Sequence, residues 1–238
     1  MALPQLAVPT FKINLPSDKS EIEFRPFLVK EEKVLLIASE SKENQQMIDA
    51  MTSVVNSCVL NPNFSLKSLP FFDAEYLFLQ LRGKSVGEQI KLYYHHAQNV
   101  NRKGEDCSVS TAVNINLEDI KIDLSTALDS KIMLTDDFGV IMRYPSINDV
   151  LNKNNDENLD EIEIVAKCIV HAFDNDQIYE SDTLEEAKRF VESLSSAQFA
   201  KISEFFEKAP QLTHTFTYKC DGCGQEDVVT LKGIADFF

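Results

Sequence analysis

The chain is poor in several residue types whose scarcity excludes whole classes of protein. Its 238 residues include no tryptophan, seven glycines, four histidines and five cysteines. Seven glycines are too few for a low-complexity or collagen-like chain. An odd number of cysteines, two of them in a Cys-x-x-Cys pair, favours reduced thiols over a framework of disulfide bonds. No phosphate-binding loop, Gly-x-Ser-x-Gly, His-Glu-x-x-His or dinucleotide fingerprint occurs, so we expect no enzyme.

Positive charge and long apolar runs are also scarce. The sequence has 23 Lys and Arg against 38 Asp and Glu, a net charge of −15. A surface of that sign is repelled by nucleic-acid phosphates and by anionic lipids, so we expect neither partner. No run approaches the roughly 20 apolar residues that span a bilayer. The first residues lack the basic start and apolar core of a signal peptide, so we expect a protein made in the cytoplasm.

The pattern of apolar residues predicts an α+β protein of four segments. An N-terminal α+β domain that starts with an extended arm (residues 1–10) covers 1–94, and a β-rich middle with a degenerate ribbon hairpin covers 95–144. A helical segment follows over 145–212, and a zinc-ribbon-like hairpin ends the chain over 213–238. Alternating apolar residues mark the predicted strands, and a spacing of three to four marks the helices.

Individual elements follow from local signals. Asp73 is predicted to cap the N-terminus of a helix that runs through Leu81. The apolar run 34–38 fits either a buried strand or the core of a short helix, and residues 136–139 form a hairpin turn. Apolar residues on one face predict a helix over 159–173. Thr183 and Glu186 form a capping-box pattern, and Ser196 starts a last helix.

The sequence Cys220-Asp-Gly-Cys223-Gly is typical of half a tetrahedral metal site. Two thiols separated by two residues can face one Zn²⁺, and glycines accept the positive φ that such turns often need. Predicted strands flank the pair over 213–219 and 227–231, as in the hairpin of a zinc ribbon. Zinc takes about four ligands, and a second Cys-x-x-Cys is absent.

The remaining ligands are open between four residues: Cys107, His95, His96 and His214. Neighbouring histidines on a strand point to opposite faces, so His95 and His96 cannot both bind one ion, and surface or core positions are the better interpretation for them. A structural metal, a metal-free ribbon and redox chemistry all remain open. The other cysteines, Cys58 and Cys168, fall on apolar helix faces and are predicted to be core residues.

A weak internal repeat links two parts of the chain. The segments 113–120 and 227–234 both end in Leu-x-x-Ile after a β-like run, and each follows a turn that carries Gly or Cys. If both are ribbon hairpins, the first has lost most of its ligands, with Cys107 as its one thiol.

Three segments resemble a known family. The runs Phe71-Phe-Asp-Ala-Glu-Tyr-Leu-Phe-Leu-Gln-Leu-Arg-Gly-Lys-Ser-Val-Gly-Glu88, Phe27-Leu-Val-Lys-Glu-Glu-Lys-Val-Leu-Leu-Ile-Ala38 and Val113-Asn-Ile-Asn-Leu-Glu-Asp-Ile120 are similar to a baseplate hub and assembly protein family of T4-like contractile-tailed bacteriophages. The resemblance implies a non-enzymatic structural protein of the tail baseplate. It would assemble in the host cytoplasm and remain in the virion.

The resemblance also implies the partners. They are other hub or wedge proteins of the baseplate. Several copies of this chain would contact them in a symmetric assembly. The N-terminal arm and residues 69–81 are the predicted contact regions. An assembly chaperone absent from the mature virion is an alternative, and a zinc-ribbon module that binds nucleic acid is another. The second fits poorly, because acidic residues offset Lys219 and Lys232 around the Cys pair.

Overall fold

The structure, a computed structural model, describes residues 6–41, 43–96, 100–101, 103–125, 127–150 and 160–237. Parts of three predicted elements lie outside these residues: the arm over 1–5, the end of a helix at Leu151 and the start of a helix at Leu159. Both helices and strands are present throughout, which confirms the α+β class.

The helices and strands are numbered in chain order. The strands are β1 Phe11–Asn14, β2 Glu21–Phe24, β3 Gln89–Tyr94, β4 Thr111–Asn116, β5 Lys121–Ile122, β6 Lys131–Met133, β7 Gly139–Met142, β8 Ile169–Phe173, β9 Ile178–Tyr179, β10 Leu212–Lys219 and β11 Glu226–Lys232. The helices are α1 Val29–Ser41, α2 Asn44–Cys58, α3 Phe71–Val86, α4 Ile147–Val150, α5 Glu161–Cys168, α6 Leu184–Glu192 and α7 Ser196–Glu207.

The chain divides into two compact units that are not contiguous in sequence. Unit 1 comprises Met1–Phe64, Phe72–Asp123 and Gln211–Phe238, and unit 2 comprises Ser65–Phe71 and Leu124–Pro210. The last hairpin therefore belongs with the N-terminal half of the chain. The four segments predicted from the sequence rest on the pattern of apolar residues, whereas the two units rest on contacts between residues. The division into four segments stays a prediction.

The first part of unit 1 consists of the β1–β2 hairpin and helices α1 to α3. β1 and β2 pair antiparallel. The run 34–38, which fitted a strand or a helix, lies in α1, where Val34, Leu36 and Ile37 are exposed. α3 is the central helix of this part, and its Leu77, Leu79 and Leu81 are fully buried.

Two expectations for α3 are wrong. The helix begins at Phe71, so Asp73 lies inside its first turn rather than at the N-cap. Asp73 is fully buried and accepts hydrogen bonds from the backbone N–H and the hydroxyl of Ser17. Burial raises the pKa of its carboxyl, against the lowering effect of these bonds. Most apolar residues of α3 are core, so residues 69–81 do not form the exposed contact surface expected of them.

The second part of unit 1 contains two antiparallel hairpins. β3 pairs with β4, and β10 pairs with both β11 and β5. Side chains from both hairpins and from α3 share one apolar cluster: Leu79, Ile90, Ile115, Leu117, Ile120, Leu212, Leu231 and Phe237. This shared core brings together two hairpins that are far apart in the chain, since β4 ends at Asn116 and β10 begins at Leu212.

Unit 2 packs α5, α6 and α7 with a sheet of order β6-β7-β8-β9. The hairpin turn predicted at 136–139 joins β6 to β7. Thr183 caps α6 by accepting from the backbone N–H of Glu186, as the capping-box pattern indicates. α7 runs over Ser196–Glu207 as predicted, with Ser195 as its N-cap.

The helix predicted over 159–173 is wrong in its second half. α5 ends at Cys168, and Ile169 already has extended backbone. Residues 169–173 form β8, which pairs with β7 on one side and β9 on the other. The short apolar run Ile-Val-His-Ala-Phe satisfies helix and strand periodicity alike, and pairing with two strands decides between them.

No helix in the described part of the chain combines the length and apolar character that crossing a bilayer requires.

A half-buried carboxylate in unit 2, that of Asp149, gives a prediction about stability. Arg143 donates two hydrogen bonds to Asp149, and Ser146 donates to it from its backbone N–H and its hydroxyl. Burial acts to raise the pKa of Asp149, but the bonds from Arg143 and Ser146 outweigh burial and hold the pKa at about 2. Because the folded pKa is depressed, this stabilisation is present above the ordinary pKa of 3.8 and is lost as pH falls toward about 2.

We therefore expect Asp149→Asn to lower the free energy of unfolding by about 1–2 kcal/mol at neutral pH, allowing for partial solvent screening. Denaturant titrations between about pH 7 and about pH 2 should show the difference from the wild type narrowing at the acid end. Asp136→Asn, which changes an exposed carboxylate of the same unit, is the control and should have little effect. A difference that stays constant across pH would contradict the assignment.

Candidate metal centre

The Cys-x-x-Cys turn joins β10 to β11 and has the backbone of a metal-binding knuckle. The backbone N–H of Cys220 donates to the carbonyl of Gln225 at 2.8 Å, and that of Gly224 donates to the carbonyl of Cys220 at 2.9 Å. Gly224 has a φ of +72°, which a side chain would disfavour. Cys220 is buried and Cys223 is exposed, so the two thiols lie at the edge of the hairpin.

The second group of donors comes from the loop between β3 and β4. His96 and Cys107, near its two ends, are 5% and 7% exposed, whereas His95 faces solvent. An antiparallel bridge between Val100 and Asp106 closes this loop. Buried Asn101 stabilises it, since its side-chain oxygen accepts from the backbone N–H groups of Lys103 and Glu105.

The two loops meet and form one cluster. The ligand atoms of His96, Cys107, Cys220 and Cys223 all lie within 4.8 Å of one another. The sulfurs of Cys107 and Cys220 are 3.6 Å apart, and Nε2 of His96 is 3.3 Å from the sulfur of Cys223. Tetrahedral Zn²⁺, with bonds of about 2.3 Å to sulfur and about 2.0 Å to nitrogen, would place its ligand atoms roughly 3.5–3.8 Å apart. These four residues could hold a metal ion.

The structure shows which of the candidate ligands lie in the cluster and which lie outside it, a choice that the sequence left open. Cys107 joins Cys220 and Cys223, and the histidine in the group is His96 rather than His214. His214 lies on β10 opposite Leu231 and stacks on Phe216, with ring centroids 6.0 Å apart. The β3–β4 loop therefore contributes two of the four groups that could hold a metal, His96 and Cys107, and the idea that its hairpin is a ribbon that lost most of its ligands stays a prediction. The sequence offered His96 as one of four candidates, with no signal that favoured it over His95 or His214.

The electrostatics of the cluster favour a thiolate at Cys220. Hydrogen bonds from the backbone N–H groups of Cys223 and Gly222 lower the pKa of Cys220 to about 6. A bond from the N–H of Val109 acts to lower the pKa of Cys107, but burial and the neighbouring sulfurs leave it raised. The sulfur of Cys223 beside the ring raises the pKa of His96. A preformed thiolate is the form that binds a metal.

The two remaining cysteines have a different character. Burial raises the pKa of Cys58 to about 11 and that of Cys168 to about 12. Both are fully buried, on α2 and α5, as predicted for small core residues. They stay protonated and lie outside the cluster.

Contacts around the donors hold the two loops against each other. The backbone N–H of Asp221 donates to the hydroxyl of Thr111 on β4 at 2.9 Å. Nδ1 of His96 lies 2.8 Å from a carboxylate oxygen of Asp227 on β11, a residue that the sequence did not single out. Aromatic and aliphatic side chains pack against Cys107 and Cys220: Tyr94, Val113, Phe216, Tyr218 and Val229.

The fold and the cluster define a class of protein: a two-hairpin, zinc-ribbon-like α+β protein with a Cys₃His donor set. The sequence of the chain matches the family model described as T4 bacteriophage base plate protein over residues 8–238. The chain therefore belongs to that family, which confirms the resemblance, and membership makes it a phage baseplate protein of the virion tail. Neither a curated protein nor a solved structure matches it.

Gly222 is required for close approach of the two loops rather than for backbone freedom. A Cβ at this position would lie 2.6 Å and 2.8 Å from side-chain atoms of Val109 and 3.2 Å from the sulfur of Cys107. The β-branched Val109 has little rotamer freedom with which to move away. The knuckle therefore fits against the β3–β4 loop only with glycine here.

We expect Gly222→Ala to lower the free energy of unfolding by about 1–3 kcal/mol, the usual cost of overpacking. Adding Val109→Ala should recover part of the loss, because it removes the nearest clashing atom. Gly83→Ala is the matched control, since its added Cβ would meet nothing closer than 3.8 Å and alanine favours a helix. Denaturant unfolding of the wild type and the three variants measures this, and equal stability of Gly222→Ala and wild type would contradict it.

Proposed function

We propose that this baseplate protein is a non-enzymatic structural component of the hub region, and that a structural Zn²⁺ stabilises its C-terminal ribbon. The observation that supports the zinc is the convergence of four donor groups from two loops far apart in sequence. The family match over residues 8–238 supports the baseplate role.

The donor set favours zinc over other common ions. Three thiolates and one imidazole are a soft, tetrahedral combination of the kind found in structural zinc sites. Calcium and magnesium prefer oxygen ligands, which the cluster does not offer. Four protein donors also leave no open position for a water or a substrate, which favours a structural over a catalytic ion.

The ion would join the two loops. The sulfurs of Cys107 and Cys220 belong to residues 113 positions apart in the chain. A metal that binds both turns stabilises the folded arrangement, since the unfolded chain offers no preformed site. Zinc would thereby attach the C-terminal hairpin to the β3–β4 hairpin through the loops that join their strands.

We expect the purified protein to contain about one zinc per chain, the number that one four-ligand site holds. His96→Ala and Cys220→Ser should remove the zinc and lower the thermal unfolding temperature. His214→Ala tests the alternative ligand and should leave the zinc content unchanged. Elemental analysis after exhaustive dialysis, with unfolding followed by circular dichroism, measures both effects.

Cys58→Ala is the control for loss of a thiol outside the cluster. It should keep the zinc even where it lowers stability, because a core cavity is costly by itself. Wild-type protein that contains no zinc, or loss of zinc in His214→Ala but not in His96→Ala, would contradict the proposed site.

The baseplate role is one of protein–protein contact. Members of a baseplate assemble with other baseplate proteins, and we propose hub or wedge subunits as the neighbours and several copies in a symmetric arrangement. Exposed aliphatic side chains suited to such contacts occur on α1, where Val29, Leu36 and Ile37 are 81%, 58% and 58% exposed. The net charge of −15 favours protein partners over nucleic acid.

The alternative within the same setting is an assembly chaperone that leaves before the virion is complete. The two functions predict different fates for one protein, so they are separable by experiment. A nucleic-acid-binding ribbon is less well supported, since carboxylates of Asp221, Glu226 and Asp227 surround the knuckle.

We expect an affinity-tagged copy, expressed in phage-infected cells, to co-purify with other tail proteins. Mass spectrometry of the eluate and of purified virions should detect the chain in both if it is a structural subunit. Detection in the eluate but not in virions would instead indicate the chaperone. Recovery of neither tail proteins nor virion-bound chain would contradict both functions.

A further inference from the structure

The His96–Asp227 contact lies directly behind the cluster and, besides holding the two loops together, bears on how His96 could bind a metal. One ring nitrogen of His96, Nε2, faces the thiols, and the other, Nδ1, lies 2.8 Å from Oδ2 of Asp227. The side chains are 3% and 17% exposed, so water competes little for this contact. Asp227 lies on β11, a strand of the hairpin whose turn carries the Cys pair, and from there it contacts His96 of the β3–β4 loop.

The chemistry of the two groups determines where the proton resides. An ionised carboxylate only accepts hydrogen bonds, so Nδ1 must carry the hydrogen in this contact. A neutral imidazole with a hydrogen on Nδ1 has its lone pair on Nε2, the atom that faces Cys223. The contact thus selects the one tautomer that can bind a metal within the cluster.

We propose that Asp227 is a positioning residue of the metal centre, which holds His96 with Nε2 as the ligand atom and raises its basicity. This inference rests on the proposed zinc site. Carboxylates behind metal-binding histidines typically strengthen metal affinity by 10- to 100-fold. Asp227 therefore makes the fourth donor effective, and without it the site relies on its three thiolates.

A buried ion pair that only stabilises the hairpin is the competing explanation, and the two differ in what they predict. A purely structural pair affects unfolding but not the metal affinity of the folded chain. A positioning role changes the affinity for Zn²⁺ and the ring nitrogen that binds it, even where the fold is intact.

The test uses the full chain with Zn²⁺ as the probe. Competition with a chelator at constant pH gives the zinc affinity of wild type and variants. We expect Asp227→Ala to weaken it by about 10- to 100-fold, Asp227→Asn to weaken it less, and Asp227→Glu to restore part of it. Asp221→Asn is the matched control, since it removes a charge from the same knuckle without contact to His96, and it should change the affinity less than about threefold.

Nitrogen NMR of the histidine side chains provides the second readout. In zinc-loaded wild type, His96 should show a metal-bound Nε2 and a protonated Nδ1. Asp227→Ala should give a mixture of ring states or lose this signature, and Asp227→Asn covers the case in which the alanine variant does not fold. Wild-type affinity and an unchanged ring state in Asp227→Ala would overturn the role of Asp227 alone. A wild-type chain that binds no zinc would overturn the proposed site together with it.

Discussion

The meeting of two hairpin turns is the interaction on which the rest of unit 1 depends. Four donor atoms from the β3–β4 loop and the β10–β11 turn lie within 4.8 Å of one another. Close contact is possible because Gly222 has no side chain to collide with Val109. The apolar cluster of the strands brings the two hairpins together, and among the described residues polar contacts such as those of His96 and Asp221 help to determine how the loops at their ends are arranged.

This division of roles follows from the composition of the loop between β3 and β4. Burial of apolar side chains holds chain segments together but is non-directional. Hydrogen bonds and metal–ligand bonds, in contrast, require particular distances and angles. The buried residues described in this loop include His96, Asn101 and Cys107, none of them a large apolar side chain. The side chain of Asn101 accepts hydrogen bonds from backbone N–H groups later in the loop, so the chain reverses direction there. This reversal brings Cys107 near His96. The loop thus depends on polar contacts for its shape.

The sequence predicted β10, β11, the Cys pair and the family, because each has a local signal. Alternation marked β10 and β11, and the Cys-x-x-Cys spacing indicated a knuckle. The fourth donor required information about contacts between distant parts of the chain. His95 and His96 are equivalent in the sequence, and the fold buries only His96. No sequence motif marks Asp227, because its proposed role depends on a contact with His96 that only the fold creates. The same limit explains residues 169–173, where pairing with two neighbouring strands overrides a helical pattern.

A closed metal centre suits a subunit whose function is to hold a shape. A catalytic zinc keeps an open coordination position, whereas four protein donors would fill the tetrahedral coordination of the ion. Tyr94, Phe216 and Tyr218 pack against two of these donors, Cys107 and Cys220. Such a centre stabilises by connecting segments, and its contribution is largest where the connected residues are far apart in the chain. In this protein the proposed ion would connect the C-terminal hairpin to the β3–β4 hairpin through residues such as Cys107 and Cys220, which are 113 positions apart in the chain.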